Sequence, residues 1–216
     1  MKTAQWRKLA KQYLLPHLPD CQFDRSLVIF EQVDWVLHVL SLDTSVFSAV
    51  DVSLELISHP LYAPTSGLIG DYAQALRNPT GGFGWVMQPG EEDERMRDVL
   101  KSIQEQASDF FRRTAEPGDL GRYSEQRYVD SINPPTIEVE AYSWILSGDL
   151  KKARRTLDRF ERELATMPTT IRWRQPLVDR YALICDAFAQ GSEVAIQMLR
   201  AWRDDSLRNM KLDRFI

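Results

Sequence analysis

Apolar positions recur at two different periods along the chain, and the change from one to the other organises it. Trp6, Leu9, Ala10, Tyr13 and Leu14 fall at the three- and four-residue spacing of one helical face. With Thr3 placed to cap and Pro16 placed to stop, this predicts a short amphipathic helix at the N-terminus. Strand-like segments follow at residues 26–31, 34–42 and 48–57. The third alternates, with Val50, Val52, Leu54 and Leu56 on one side and Asp51, Ser53 and Glu55 on the other, as in a sheet with one face on the core and one in water. The second is apolar on both sides, which suits a central strand. The short links at residues 32–34 and 43–47 are of hairpin length and predict an antiparallel meander.

Residues 59–87 are rich in Pro, Gly and Asn, and predict one or two helical turns near 72–76 and a fourth strand at 83–87. Beyond Gly90 the period becomes 3.6. Met96, Val99, Leu100, Ile103, Ala107, Phe110 and Phe111 form one stripe, and Glu91 to Glu94 crowd the first turn, where the helix dipole favours negative charge. Further helices are predicted at 124–131, 137–146, 150–165, 177–189 and 193–208. Strands first and helices after imply an α+β chain: an N-terminal helix and an antiparallel β-meander of about four strands packed against a long helix, then an α-helical C-terminal bundle. The division is expected at residues 1–90 and 91–216, packed as one compact unit. Residues 141–157 and 182–199 share the order small residue, aromatic, Gly turn, Ala and Leu, and resemble one unit of a tetratricopeptide-type hairpin. Two imperfect copies fall short of a solenoid and read as two ordinary helix hairpins.

The chain has 216 residues, 44% of them hydrophobic, and a net charge of −4, so it can bury a full core and sets up no general attraction for nucleic acid. Cys21 and Cys185 are its two cysteines; the C-x-x-C spacing of a zinc or redox site is missing, and both read as small buried hydrophobes of a reducing compartment. The N-terminus threads Lys2, Arg7, Lys8 and Lys11 among its apolar residues, unlike a signal peptide, and no stretch is apolar enough to span a bilayer. A cytoplasmic protein without a membrane segment is expected.

Candidate chemistry is sparse. His17 follows Pro16 in a predicted loop, and His59 precedes Pro60 at a strand end. His38 shares a strand face with Asp34, but four residues along a strand span about 13 Å, too far for one ion or a direct hydrogen bond. A partner for His38 on a neighbouring strand, Asp51 or Glu55, stays open; the favoured reading is a structural histidine. "NPTGGFGW" (residues 78–85) lacks the Lys-Ser/Thr and following helix of a phosphate loop and reads as a loop feeding a strand. Glu138 and Glu140 are two apart on a predicted helix and point in different directions. The basic run at 151–163 is interleaved with acids and reads as a solvated helix face. "TTIRWRQP" (169–176) places Trp173 between Arg172 and Arg174 at a helix entrance. Exposed Arg and Trp together are the stuff of interface hot spots, and a Trp173 that plugs the core is the equal alternative.

The order of elements, with "DWVLHVLSL", "GFGWV", the helix "ERMRDVLKSIQEQASDFFRR" and the "SGDLKKA" turn, resembles uncharacterised bacterial α+β proteins found among toxin-immunity and defence-associated genes. The resemblance implies a small cytosolic binding protein and transfers no functional residues. The expectation is therefore a noncatalytic protein-binding protein, of the immunity or inhibitor kind, whose partner is another protein such as a toxin or an enzyme. Its surface would be built from Asp51, Ser53 and Glu55 on the sheet and from Arg172, Trp173 and Arg174, with no cofactor, no metal and no nucleic acid. A homodimer is compatible with the pattern. The competing expectations are an enzyme with a scattered site near His38, and a helical-hairpin adaptor that binds peptides in a groove lined by Tyr142, Trp144 or Trp173.

Overall fold

The computed structural model describes residues 3–43, 51–64, 68–129 and 132–216. The turn predicted after residue 43, the first three residues of the strand predicted at 48–57 and the last two of the helix predicted at 124–131 lie outside the described residues. The chain is α+β and divides into two compact units, residues 1–59 with 72–113 and residues 60–71 with 114–216. The expected division at 90/91 differs from these units in two places. The long helix after Gly90 stays with the sheet on which it packs, and the chain lends residues 60–71 to the helical unit before returning.

In the sheet unit, helix α1 (Thr3–Leu9) continues through a wide π-turn at Ala10–Leu14 and a 3-10 turn at Leu15–His17. Pro16 therefore tightens the helix end instead of stopping it, and His17 lies in that turn, not in a loop. Trp6 and Leu14 are fully buried, and the Trp6 indole donates to the Ser26 carbonyl at 3.0 Å. Strands β1 (Cys21–Asp24) and β2 (Leu27–Phe30) form a tight antiparallel hairpin. Then come β3 (Val36–Asp43), β4 (Asp51–Pro60), β5 (Ala73–Ala75) and β6 (Trp85–Val86), in the order β1-β2-β3-β4-β5 with β6 also pairing β4. The apolar middle segment is the central strand, as its two-sided pattern requires.

Six strands are described where about four were expected. β1 is four residues of mixed polarity and carries no alternation to read. The helical turns expected at 72–76 are corrected: a 3-10 turn at Gly70–Tyr72 gives way to β5, whose Ala73, Gln74 and Ala75 lie opposite Ile57, Leu56 and Glu55. The edge of β4 supplies the ladder partners, and tertiary pairing overrides local preference. Helix α2 (Glu92–Arg112) buries Met96, Val99, Ile103, Ala107 and Phe110, the predicted stripe, while Phe111 packs edge-on against Phe30 of β2 at 4.8 Å. Each of the larger buried side chains, Met96, Val99, Ile103 and Phe110, contributes about 1.5–3 kcal/mol of transfer free energy.

The helical unit comprises α3 (Pro117–Arg127), α4 (Pro134–Leu146), α5 (Leu150–Thr166), α6 (Arg174–Gln190) and α7 (Ser192–Asn209). Helix α3 starts seven residues earlier than predicted, because Glu116, just ahead of Pro117, caps it in a capping box with Asp119 of its first turn. Asp149 caps α5 by accepting from the Lys152 amide at 3.0 Å. Ile137, Phe160, Leu164 and Leu177 join α4, α5 and α6 in one core cluster. Gly121 lets α3 close on α4, since a Cβ there would meet the Trp144 ring at 3.1 Å. No described helix is long and apolar enough to cross a membrane.

Candidate functional site: buried ion pairs and an arginine-lined cavity

Helix α4 is buried on every side: all of Thr136 to Ile145 is covered, and the helix carries two carboxylates into that interior. Taking a carboxylate out of water costs several kcal/mol unless a cation and further donors meet it. Both are met. Glu138, 4% exposed, takes the fork of Arg180 from α6, Nε to Oε1 at 2.6 Å and Nη2 to Oε2 at 2.8 Å, and its Oε1 also accepts the Tyr142 hydroxyl at 3.0 Å. Burial, and then the adjacent Glu138 charge, hold the Tyr142 phenol well above its ordinary pKa.

Glu140, 3% exposed, points the other way. It accepts Nη2 of Arg159 from α5 at 2.6 Å and makes longer contacts with Ser124 (3.5 Å) and Thr156 (3.4 Å). The expected divergence of the two glutamates is what the helix delivers, and each closes a different inter-helix contact.

Glu140 also forms the inner wall of a cavity of about 330 Å³, lined by Glu125 and Val129 at the end of α3 and by Arg155, Thr156, Arg159 and Arg162 of α5. The arginines recur at four and three residues, so α5 presents them on one face. Glu140 and Thr156 are buried at its inner end, while Arg155 and Arg162 are exposed. Glu125 bridges Lys152 Nζ at 2.8 Å and Arg155 Nη2 at 3.1 Å, and Lys152 also lies 4.1 Å over the Trp144 ring.

The basic run is largely exposed, with Lys151, Arg154, Arg155, Asp158, Glu161 and Arg162 in water as expected of a solvated face, and it also makes contacts between helices. Lys152, Arg155 and Arg159 reach carboxylates of neighbouring helices, and Arg154 lies over the Phe188 ring at 5.7 Å. The signal was present in the 155, 159, 162 spacing. Spacing alone does not reveal these contacts, because Glu125 and Glu140, which give the spacing its meaning, are supplied by other helices.

At the entrance of α6, Trp173 is 50% exposed and Arg172 is exposed beside it. Trp6, Trp85 and Trp144 are buried and Trp35 and Trp202 half-buried, so Trp173 is the most exposed of the six tryptophans. Leu183, two turns and more along α6, is likewise 50% exposed. Arg174 faces inward, donating from Nε (3.3 Å) and Nη2 (3.2 Å) to the Leu164 carbonyl at the end of α5. That bond satisfies a carbonyl of the last helical turn and holds the two helix ends together. Tyr142 and Trp144 are buried, so the aromatic groove expected of a peptide adaptor has only Trp173 left to line it.

On the sheet, Ser53 and Glu55 are half-buried on β4, and Asp51 opens that strand opposite Val86; the Asp51 side chain lies outside what is described. His38 meets Ser58 of β4 through Nδ1 at 3.0 Å, and its ring lies 4.6 Å from that of Phe111. Burial lowers its pKa to about 4. His59 is fully buried inside β4, not at an open strand end, and burial lowers its pKa to about 3. Both rings are thus neutral at pH 7 and packed as parts of the sheet.

The glycine-rich loop is organised by Asn78, whose Oδ1 accepts from the Thr80 amide and hydroxyl and from the Gly82 amide, while Nδ2 donates to the Gly84 carbonyl at 2.8 Å. It feeds β6, as its sequence predicts. A second cavity of about 280 Å³ lies beside it against Arg95 and Asp98 of α2, where Arg95 is held by Glu91, Glu94 and Asp98. Among the described residues no group of three or more His, Cys, Asp or Glu is placed to hold a metal ion. Compared with protein-family models, curated proteins and solved structures, the chain matches none of them.

Proposed function

We propose that the chain is a noncatalytic cytoplasmic protein-binding protein, of the inhibitor or immunity kind, that engages a partner protein through the entrance of α6. The observation that carries this reading is the half-exposed Trp173 beside the exposed Arg172. A tryptophan left in water forgoes a large apolar burial, which a partner's pocket restores; Trp and Arg are the residue types most enriched at the energetic centres of interfaces. Arg174, tied to Leu164, fixes the backbone from which both side chains project, so little ordering is left to be done on binding. Leu183 extends the same helix's apolar exposure, and Ser53 and Glu55 on β4 belong to the sheet surface that the same reading assigns a secondary part.

The test is affinity capture from host lysate with the wild-type chain and with a Trp173→Ala/Arg172→Ala variant. A stoichiometric protein retained by the first and lost by the second supports the reading. Equal retention by both overturns the placement of the surface, and a preparation that carries a metabolite but no protein overturns the function.

A further inference from the structure

We infer that the cavity between α3, α4 and α5 is a binding site for a small oxyanion-bearing molecule, a phosphate or carboxylate compound, held by Arg155, Arg159 and Arg162. The inference is independent of the partner surface at α6. It begins with the charge balance around the cavity. Three arginines, Arg155, Arg159 and Arg162, and two carboxylates, Glu125 and Glu140, line it, which leaves an excess of one positive charge in one concave place, and Glu125 is also neutralised by Lys152 from outside the lining. Clustering like charges is unfavourable without an anion to offset them.

The carboxylates present are committed. Glu125 is shared between Lys152 and Arg155, and Glu140 is taken by Arg159. Arg162 lines the cavity with no ion-pair partner found among the described residues. Nor is Arg159 saturated: Glu140 takes its Nη2, while its Nε is buried with no hydrogen-bond acceptor among the described residues.

The arrangement also suits the ligand class by shape. Guanidinium groups present paired N–H donors in a plane that matches the oxygens of phosphate and carboxylate, and one fixed in orientation loses little freedom when the anion arrives. Arg159 is fixed by a 2.6 Å contact to a buried carboxylate, whereas Arg155, paired with Glu125, and Arg162 are exposed on the solvent side. The Thr156 hydroxyl, which donates to Glu140 at 3.4 Å, helps to hold that carboxylate at the inner end. At about 330 Å³ the cavity lies at the small end of ligand pockets, roughly 300–1,000 Å³, so a compact molecule fits and a polymer does not.

The experiment is a thermal-shift titration at pH 7.5 with sodium pyrophosphate in one arm and sodium citrate in the other, each against sodium chloride of matched ionic strength. It is run on the wild type and on Arg162→Gln, whose exposed side chain has no packing role to lose. The wild type is expected to show a saturable rise in Tm of about 5 °C at probe concentrations near a hundred times Kd, and the variant at most a fifth of that rise at the same concentration. A rise with pyrophosphate assigns the natural ligand to phosphate compounds, and one with citrate assigns it to carboxylates. No rise beyond chloride in either arm, or an equal rise in Arg162→Gln, overturns the proposal.

Discussion

Glu138 of α4 and Arg180 of α6 meet in a two-point ion pair, 2.6 and 2.8 Å long, inside the helical unit, with the carboxylate 4% and the guanidinium side chain 20% exposed. Such a pair is costly to break and nearly neutral to replace, because the penalty lies in leaving one charge buried alone. Arg180→Met is expected to destabilise the helical unit by about 3–5 kcal/mol, and Glu138→Met/Arg180→Met together to recover most of that loss. Chemical denaturation followed by far-ultraviolet circular dichroism measures both; a double variant as unstable as the single one would show that the pair itself, and not the orphaned charge, supplies the stability.

Gly84 enters β6 at φ +94°, and a Cβ there would stand 3.0 Å from the Val52 carbonyl oxygen. Gly84→Ala is expected to cost about 1–3 kcal/mol, since the left-handed backbone and the close approach act together. Asn78→Ala, which removes the acceptor of three hydrogen bonds and the donor of a fourth, is expected to cost a similar amount. Substituting Gly81, also at positive φ but with nothing within 4 Å of its Cβ, should cost less than Gly84. Melting curves of the three variants give the order directly.

Stability should fall on mild acidification. His38 and His59 have folded pKa values lowered by burial, to about 4 and about 3, below the unfolded value near 6.5. The unfolded chain therefore takes up protons first as the pH drops. The stability that neutral rings contribute is full above about pH 6.5, and is lost progressively down to pH 4 for His38 and pH 3 for His59. For His38 the loss is on the order of 3 kcal/mol. His38→Gln, which keeps a hydrogen-bonding group near Ser58, should flatten the fall in Tm between pH 6.5 and 4.5; an unchanged slope would refute the assignment.

Gly121 sets the approach of α3 to α4. Gly121→Ala forces a methyl group to 3.1–3.2 Å from Trp144 and from the Ser143 Cβ, an overpacking worth about 1–3 kcal/mol. Because Lys152 also lies over the Trp144 ring at 4.1 Å, the substitution is also expected to shift the tryptophan emission of the native state, which a fluorescence spectrum at neutral pH would register.

The sequence carried those parts of the fold that rest on local period. The stripe of α2, the alternation of β4 from Val52 to Leu56 and the two-sided burial of β3 are each read correctly from spacing alone, because burial repeats every 3.6 or every two residues. What spacing does not carry is a short element whose partner lies elsewhere. β5 is three residues long and exists because the edge of β4 stands beside it. The same reason hid the cavity. Glu138 and Glu140 diverge as expected, but that each meets an arginine from a different helix depends on how α3, α5 and α6 pack around α4. Of the partner-surface residues named from the sequence, Trp173 and Arg172 project outward and Arg174 turns in to the Leu164 carbonyl, a distinction that neighbouring positions at a helix entrance do not announce.

The most direct measurement of the binding reading is the dissociation constant of the purified complex with the captured partner, determined for the wild type and for Trp173→Ala with melting temperatures of both chains alongside. The account predicts at least about a thirtyfold weakening, the 2 kcal/mol or more of a central interface residue, with Tm unchanged because the ring is half in water. An affinity that survives the loss of Trp173 unaltered would contradict it.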